Sequence, residues 1–297
     1  MRAVKKTEIT ADFLRLASSA VPHVDSTGGV RVAVYDLGGD GPPLLLSHAT
    51  GFHAHVWTPV VASLQSQFHC YAFDQRAHGD TETPPGLDLA WEGLGDDALA
   101  AVGGLGLEHP FGVGHSSGAT ALLLAEASRP GTFRALYCYE PVVLPFERPP
   151  GPSAMNPMAE AALKRRDVFP SKEAAYENFA ERGPFAGFHP DALRAYVEYG
   201  FEDAPDGQGV RLRCRPEDEA QMYRMGSAHD AFARFPTIRC PVTISHGAST
   251  DAIGAAVAGA QAARLPDVRV EEVPGLGHLG PLQDPEKVAA SVAQALA

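Results

Sequence analysis

The stretch that most constrains this chain is Gly112-Val113-Gly114-His115-Ser116-Ser117-Gly118. It holds one Gly-x-Ser-x-Gly, set between the apolar residues Pro110, Phe111 and Val113 and a helical run over 119–127. A strand that passes straight into a helix at a serine makes a tight turn and lifts the hydroxyl above the end of the sheet. Glycines at 114 and 118 suit that turn, because a side chain at either position would collide with the neighbouring strand or helix. Ser116 is therefore the candidate nucleophile. The pattern is short enough to match a surface turn by accident, so the rest of the chain has to supply a base, an acid and oxyanion donors within one fold.

Residues 30–35 alternate apolar and other side chains and predict a half-exposed strand, followed by a turn over 38–42. The runs 44–48 and 70–74 are continuously apolar, as strands buried on both faces of a parallel sheet are. Further strands are predicted at 111–114, 135–139, 241–245 and 268–273. Helices are predicted from Thr58, over 87–107, 119–127 and 252–264, and from Asp284. This alternation predicts an α/β fold with a mostly parallel sheet and helices on both faces, and with ligands at the C-terminal strand ends. Residues 1–28 suggest only a short helix near 13–19.

Between Val143 and about Pro236 the alternation stops. Pro145, Pro149, Pro150, Pro152 and Pro157 stiffen the chain, and helices are predicted over 157–166, 171–182, 190–199 and 216–235. The expected division is a core of 1–143 with 237–297 and an inserted helical cap of 144–236.

The formal charge of −12, with the 24 basic residues scattered, argues against nucleic-acid or anionic-membrane partners and favours a small neutral or weakly polar substrate. Cys70, Cys138, Cys214 and Cys240 show no C-x-x-C spacing and read as buried reduced thiols. The start, Met1-Arg2-Ala3-Val4-Lys5-Lys6, has the charge of a signal peptide without its apolar core, and no run approaches the ~20 apolar residues of a membrane span. A cytoplasmic protein is expected; oligomeric state leaves no mark in the sequence.

The base for Ser116 is His278, in the glycine-rich loop Pro274-Gly275-Leu276-Gly277-His278 that follows a predicted strand. Two carboxylates compete to orient it. Asp251, in the loop after the penultimate strand, ranks first; Glu140, at the end of the strand after the Ser116 turn, ranks second. The oxyanion donors are the backbone amides of Ser117 and Thr50, each worth roughly 3 kcal/mol where such donors have been removed. Gly51, Phe52 and His115 are candidate substrate contacts, although His115 also reads as packing beside the turn. Phe146, Met155, Met158, Phe169, Phe185, Phe188, Tyr196, Tyr199, Met222 and Tyr223 are candidates to wall a pocket, or simply to pack the cap. His48, His53, His55, His69 and His78 cluster in sequence without an acidic or cysteine partner to complete a ligand set, so no metal is expected. His78 and Asp74 read as turn-stabilising residues.

Four features together resemble the α/β-hydrolase superfamily, from about Val30 to the C-terminus. They are the loop after His48 with Trp57 nine residues on, similar to the family's His-Gly-x oxyanion loop; Asp74-Gln75-Arg76-Ala77-His78-Gly79; Gly114-His115-Ser116-Ser117-Gly118; and Gly275-Leu276-Gly277-His278. Ala49 and Ala77 stand where the family usually has glycine. The resemblance implies the α/β-hydrolase fold, no cofactor, and a serine hydrolase that cleaves a carboxylic ester or lactone through an acyl-enzyme on Ser116. Asp after the penultimate strand is the family's usual acid, while some lactone hydrolases resemble this chain in having Glu at the place of Glu140. Aspartate-nucleophile relatives such as epoxide hydrolases and haloalkane dehalogenases differ at Ser116. Carbon–carbon bond hydrolysis by the same triad is the alternative reaction, haloperoxidase or perhydrolase chemistry a side activity, and a ligand receptor with a retained triad the alternative from another class.

Overall fold

The computed structural model describes residues 21–297, so the helix expected near 13–19 lies outside the described residues. In chain order the strands are β1 (His23–Asp25), β2 (Arg31–Gly38), β3 (Pro43–Ser47), β4 (His69–Phe73), β5 (Phe111–His115), β6 (Leu136–Tyr139), β7 (Val168–Phe169), β8 (Phe201–Asp203), β9 (Val210–Leu212), β10 (Val242–Gly247) and β11 (Val268–Val273). The helices are α1 (Thr58–Leu64), α2 (Glu92–Gly104), α3 (Ser117–Ser128), α4 (Pro157–Leu163), α5 (Lys172–Ala180), α6 (Pro190–Gly200), α7 (Pro216–Met225), α8 (Ala231–Arg234), α9 (Ala255–Ala262), α10 (Gly280–Gln283) and α11 (Pro285–Ala295).

The main sheet has the order β1-β2-β4-β3-β5-β6-β10-β11; β2 pairs antiparallel with both β1 and β4, and the remaining pairs are parallel. The pleat explains why its central strands are apolar throughout. Leu44 and Leu46 pack under α1 and α11 on one face, while Leu45 packs under α2, α3 and α9 on the other. Burying both faces leaves the strand ends as the place where polar chemistry can reach solvent. The loops after β3, β5, β6, β10 and β11 all leave from the C-terminal edge.

Between β6 and β10 lies a segment of helices α4 to α8. It also contains a three-stranded antiparallel sheet, β7-β9-β8, absent from the sequence reading. Strands of two or three residues are too short for periodicity to register. The helix expected over 216–235 is two helices, α7 and α8. The chain leaves α7 at Gly226, where a Cβ would lie 3.2 Å from the Trp91 ring. We propose the division into a core of 1–143 with 237–297 and a cap of 144–236. Trp91 fastens the two: its Nε1–H donates to the Met222 carbonyl and its ring stacks on His229.

All four cysteines are buried and free. Among the described residues no helix is long and apolar enough to cross a membrane.

Candidate active site

Ser116 sits between β5 and α3 with φ 55° and ψ −118°, a backbone conformation that L-residues seldom adopt. Its amide donates to the Tyr139 carbonyl at 2.9 Å, which ties the turn to the neighbouring strand. The flanking glycines are required by close approach. A Cβ on Gly114 would lie 2.4 Å from Ala119 Cα, and one on Gly118 would lie 2.3 Å from the Ser47 carbonyl oxygen.

His278 projects from the loop after β11 with Nε2 3.1 Å from Ser116 Oγ and Nδ1 2.7 Å from Glu140 Oε2. With the ring proton on Nδ1, His278 donates to the carboxylate and accepts from the serine hydroxyl. Glu140, fully buried at the end of β6, has a left-handed φ of 46° that turns its side chain along the sheet edge. Its carboxylate also accepts from the Gly247 amide (3.0 Å), the Thr250 hydroxyl (2.8 Å) and the Ile253 amide (3.3 Å). Burial alone would raise its pKa, but His278 and these donors outweigh burial and hold the carboxyl below the usual Glu range.

The structure places Glu140, ranked second in the sequence, and not the first-ranked Asp251, beside His278. Asp251 is exposed at the cavity mouth and makes no hydrogen bond to His278. The Gly247 and Ile253 amides and the Thr250 hydroxyl are directed at Glu140, and that carboxylate already fills the position beside Nδ1.

The loop after β3 is held by two neutral imidazoles. His48 donates from Nδ1 to the Ala49 carbonyl and accepts the Gln75 amide on Nε2; His78 donates to the Arg76 carbonyl and accepts the Gly51 amide. Burial lowers the pKa of both rings, which keeps them in this donor–acceptor form. The Gln75 side-chain amide braces the same loop by donating to the His48 carbonyl. Gly51 and Phe52 commit their amides to His78 and the Ala49 carbonyl, whereas among the described residues the Thr50 and Ser117 amides have no acceptor. The Thr50 hydroxyl is also buried without a partner there.

Ser116 and His278 open onto a cavity of about 850 Å³, walled mainly by apolar side chains and reached by Thr50, Gly51 and Phe52 from the core. His115 is not in its wall. It is buried beneath, and its Nε2–H donates to the His278 carbonyl at 2.8 Å, which braces the histidine loop. Among the pocket candidates Met158, Phe185 and Tyr223 line the cavity. Phe169, Phe188 and Tyr196 pack within the core, as does Met222; Tyr199 stacks on His55, while Phe146 and Met155 are exposed.

One polar group in the wall has no counterpart in the sequence reading. Arg165, just after α4, pairs through Nη1 with Glu219 on α7 and donates from Nη2 to the Tyr196 hydroxyl at 2.6 Å. Burial works against the guanidinium charge, but Tyr196 and Glu219 outweigh it and keep Arg165 protonated. The partners are 54 residues apart, one in the turn after α4 and the other on α7, and no spacing rule joins them. Among the described residues no group of three His, Cys, Asp or Glu side chains could hold a metal ion.

The chain is similar to 2-(acetamidomethylene)succinate hydrolase of Mesorhizobium japonicum, with 27% identity over 242 residues, 81% of this chain and 82% of the relative. It is also similar to N-formylmaleamate deformylase of Pseudomonas putida, 25% identical over 87% of this chain and 90% of the relative. The crystal structure of an E-2-(acetamidomethylene)succinate hydrolase superimposes with a TM-score of 0.76 at 26% identity, covering 93% of this chain and 98% of that one. A model described as the Alpha/beta hydrolase family matches residues 44–291, from β3 through most of α11. With that span accounted for and hydrolases as its relatives, the chain belongs to the alpha/beta hydrolase family and is a hydrolase.

Proposed function

We propose that this hydrolase cleaves a carboxylic ester or lactone of a small, moderately apolar molecule through an acyl-enzyme on Ser116. The observation that carries this reading is the unbroken line of hydrogen bonds from Glu140 through His278 to Ser116 at the wall of a largely apolar cavity. Ser116 Oγ attacks the carbonyl carbon as its proton passes to His278 Nε2, and Glu140 stabilises the imidazolium that forms. The oxyanion is met by the free amides of Thr50 and Ser117, with the unpaired Thr50 hydroxyl beside them. His278 returns the proton to the leaving alkoxide, then draws one from the water that attacks the acyl-enzyme and passes it to Ser116 Oγ as the acyl–oxygen bond to serine breaks and the acid leaves. A small-molecule substrate is supported by the cavity's size.

The test is intact-protein mass after exposure to a fluorophosphonate, alongside turnover of short- and medium-chain esters and lactones. Wild-type protein is expected to gain one phosphonyl adduct on Ser116 and to sustain turnover, and Ser116→Ala to lose both. Turnover unchanged in Ser116→Ala would overturn the reading.

A further inference from the structure

The Arg165–Glu219 pair lies against the loop that carries Thr50. A Cβ on Gly51 would meet Glu219 Oε1 at 2.6 Å and Arg165 Nη1 at 3.8 Å, so the left-handed glycine leaves room for the pair to reach the site. The pair is almost wholly enclosed, with side-chain exposures of 17% and 7%, and both partners line the cavity with Ser116 and His278. A buried guanidinium beside a reacting serine is the natural anchor for a substrate carboxylate, because its fork matches two carboxylate oxygens. Here Nη1 already donates to the Glu219 carboxylate and Nη2 to the Tyr196 hydroxyl. Glu219 is kept in place from its own helix by the Tyr223 hydroxyl, which donates to Oε1 at 3.4 Å, while Tyr196 takes a second guanidinium donor. The remaining acidic or basic side chain of the wall, beside the neutral His278, is the Asp251 carboxylate, exposed at the mouth. A substrate anion entering this cavity meets a cation whose charge Glu219 already balances and a carboxylate that repels it.

We infer that Glu219 is a built-in carboxylate that occupies Arg165, and that it restricts the site to substrates whose acyl part carries no negative charge. The inference rests on Ser116 being the nucleophile proposed above. It also makes Glu219 the residue that sets charge selectivity: with a neutral amide in its place, Arg165 would be free to take an anion.

The experiment compares two alkyl fluorophosphonates of equal chain length, one ending in a methyl ester and the other in a carboxylate. In each labelling step Ser116 Oγ bonds to phosphorus, the P–F bond breaks, fluoride leaves and the serine proton passes to His278. Labelling rates are read by intact mass for wild type and Glu219→Gln, with thermal melts on both. Wild type is expected to react about 30-fold faster with the neutral probe, and Glu219→Gln to cut that ratio about tenfold by accelerating the anionic one. Equal wild-type rates overturn the inference whether or not the variant folds, as does a ratio unmoved in a folded Glu219→Gln. Labelling by neither probe overturns the nucleophile assignment and the inference with it, which separates the two failures.

Discussion

Nδ1 of His278 lies 2.7 Å from Oε2 of Glu140, and Glu140 ends the strand next to the one that delivers Ser116. Replacing Glu140 with Gln keeps the shape but removes the charge that stabilises the imidazolium and lets the amide favour the wrong ring tautomer. We expect kcat to fall by about 10³–10⁴ in Glu140→Gln, as when a triad carboxylate becomes an amide elsewhere. Asp251→Asn, at an exposed position off the histidine, should stay within about threefold of wild type. Steady-state kinetics on the two variants decide it; the opposite ranking would return the acid to Asp251.

Ala77 carries a φ of 64°, left-handed backbone that costs an L-residue about 1–2 kcal/mol. Glycine avoids that strain but loses about 0.5–1 kcal/mol in unfolded-state entropy. Ala77→Gly is therefore expected to raise stability by roughly 0.5–1 kcal/mol, read by denaturant unfolding, with ester turnover unchanged. A destabilised variant would show that the methyl group packs too well to lose.

His115 acts through the histidine loop. In His115→Leu the His278 carbonyl loses its donor, at a cost of about 1–3 kcal/mol in stability. The base then samples positions away from Ser116, so kcat should drop about tenfold while KM holds. A rise in KM with kcat intact would place His115 at the substrate after all.

Burial lowers the pKa of six histidines: His53, His55 and His229 to about 4, His115 to about 3, and His48 and His78 in the same direction. Their folded pKa values lie below the unfolded value of about 6.5, so the unfolded chain takes up protons first as pH falls. The stability they hold is full above about pH 6.5 and is lost as pH drops toward 4. Glu140 works in the opposite part of the range: its depressed pKa contributes stability above the ordinary Glu value that is lost only at more acid pH. A melting temperature that falls by about 5 °C or more between pH 7.5 and 5.0 is expected; a flat profile across that interval would contradict it.

The fold class is legible in the sequence because each buried strand announces itself locally, as Leu44-Leu45-Leu46 does, and the order of strands and helices then permits few topologies. Ser116 and His278 stand in glycine-marked turns whose motifs are local, and the structure brings them within hydrogen-bond distance. The acid is different. Asp251 and Glu140 both follow strands at the same edge of the sheet, and what separates them is the φ of 46° at Glu140 and the inward turn of the Gly247 and Ile253 amides. Neither property is written in a residue type. Arg165 and Glu219 are illegible for a related reason: each looks like an ordinary charge on an amphipathic cap helix until the tertiary fold encloses them together.

In the proposed mechanism Glu140 serves His278 from the end of β6, so the loop after β10 is relieved of proton-transfer duty, while Thr250 and the Gly247 and Ile253 amides support the acid. Ala252 and Asp251 face the cavity from that loop and contribute no side-chain atom to the relay. Evolution, or an engineer, can exchange these two positions to suit a different acyl group without touching the catalytic line. A relative with its acid in that loop has no such liberty: there, every change made for specificity is also a risk to catalysis.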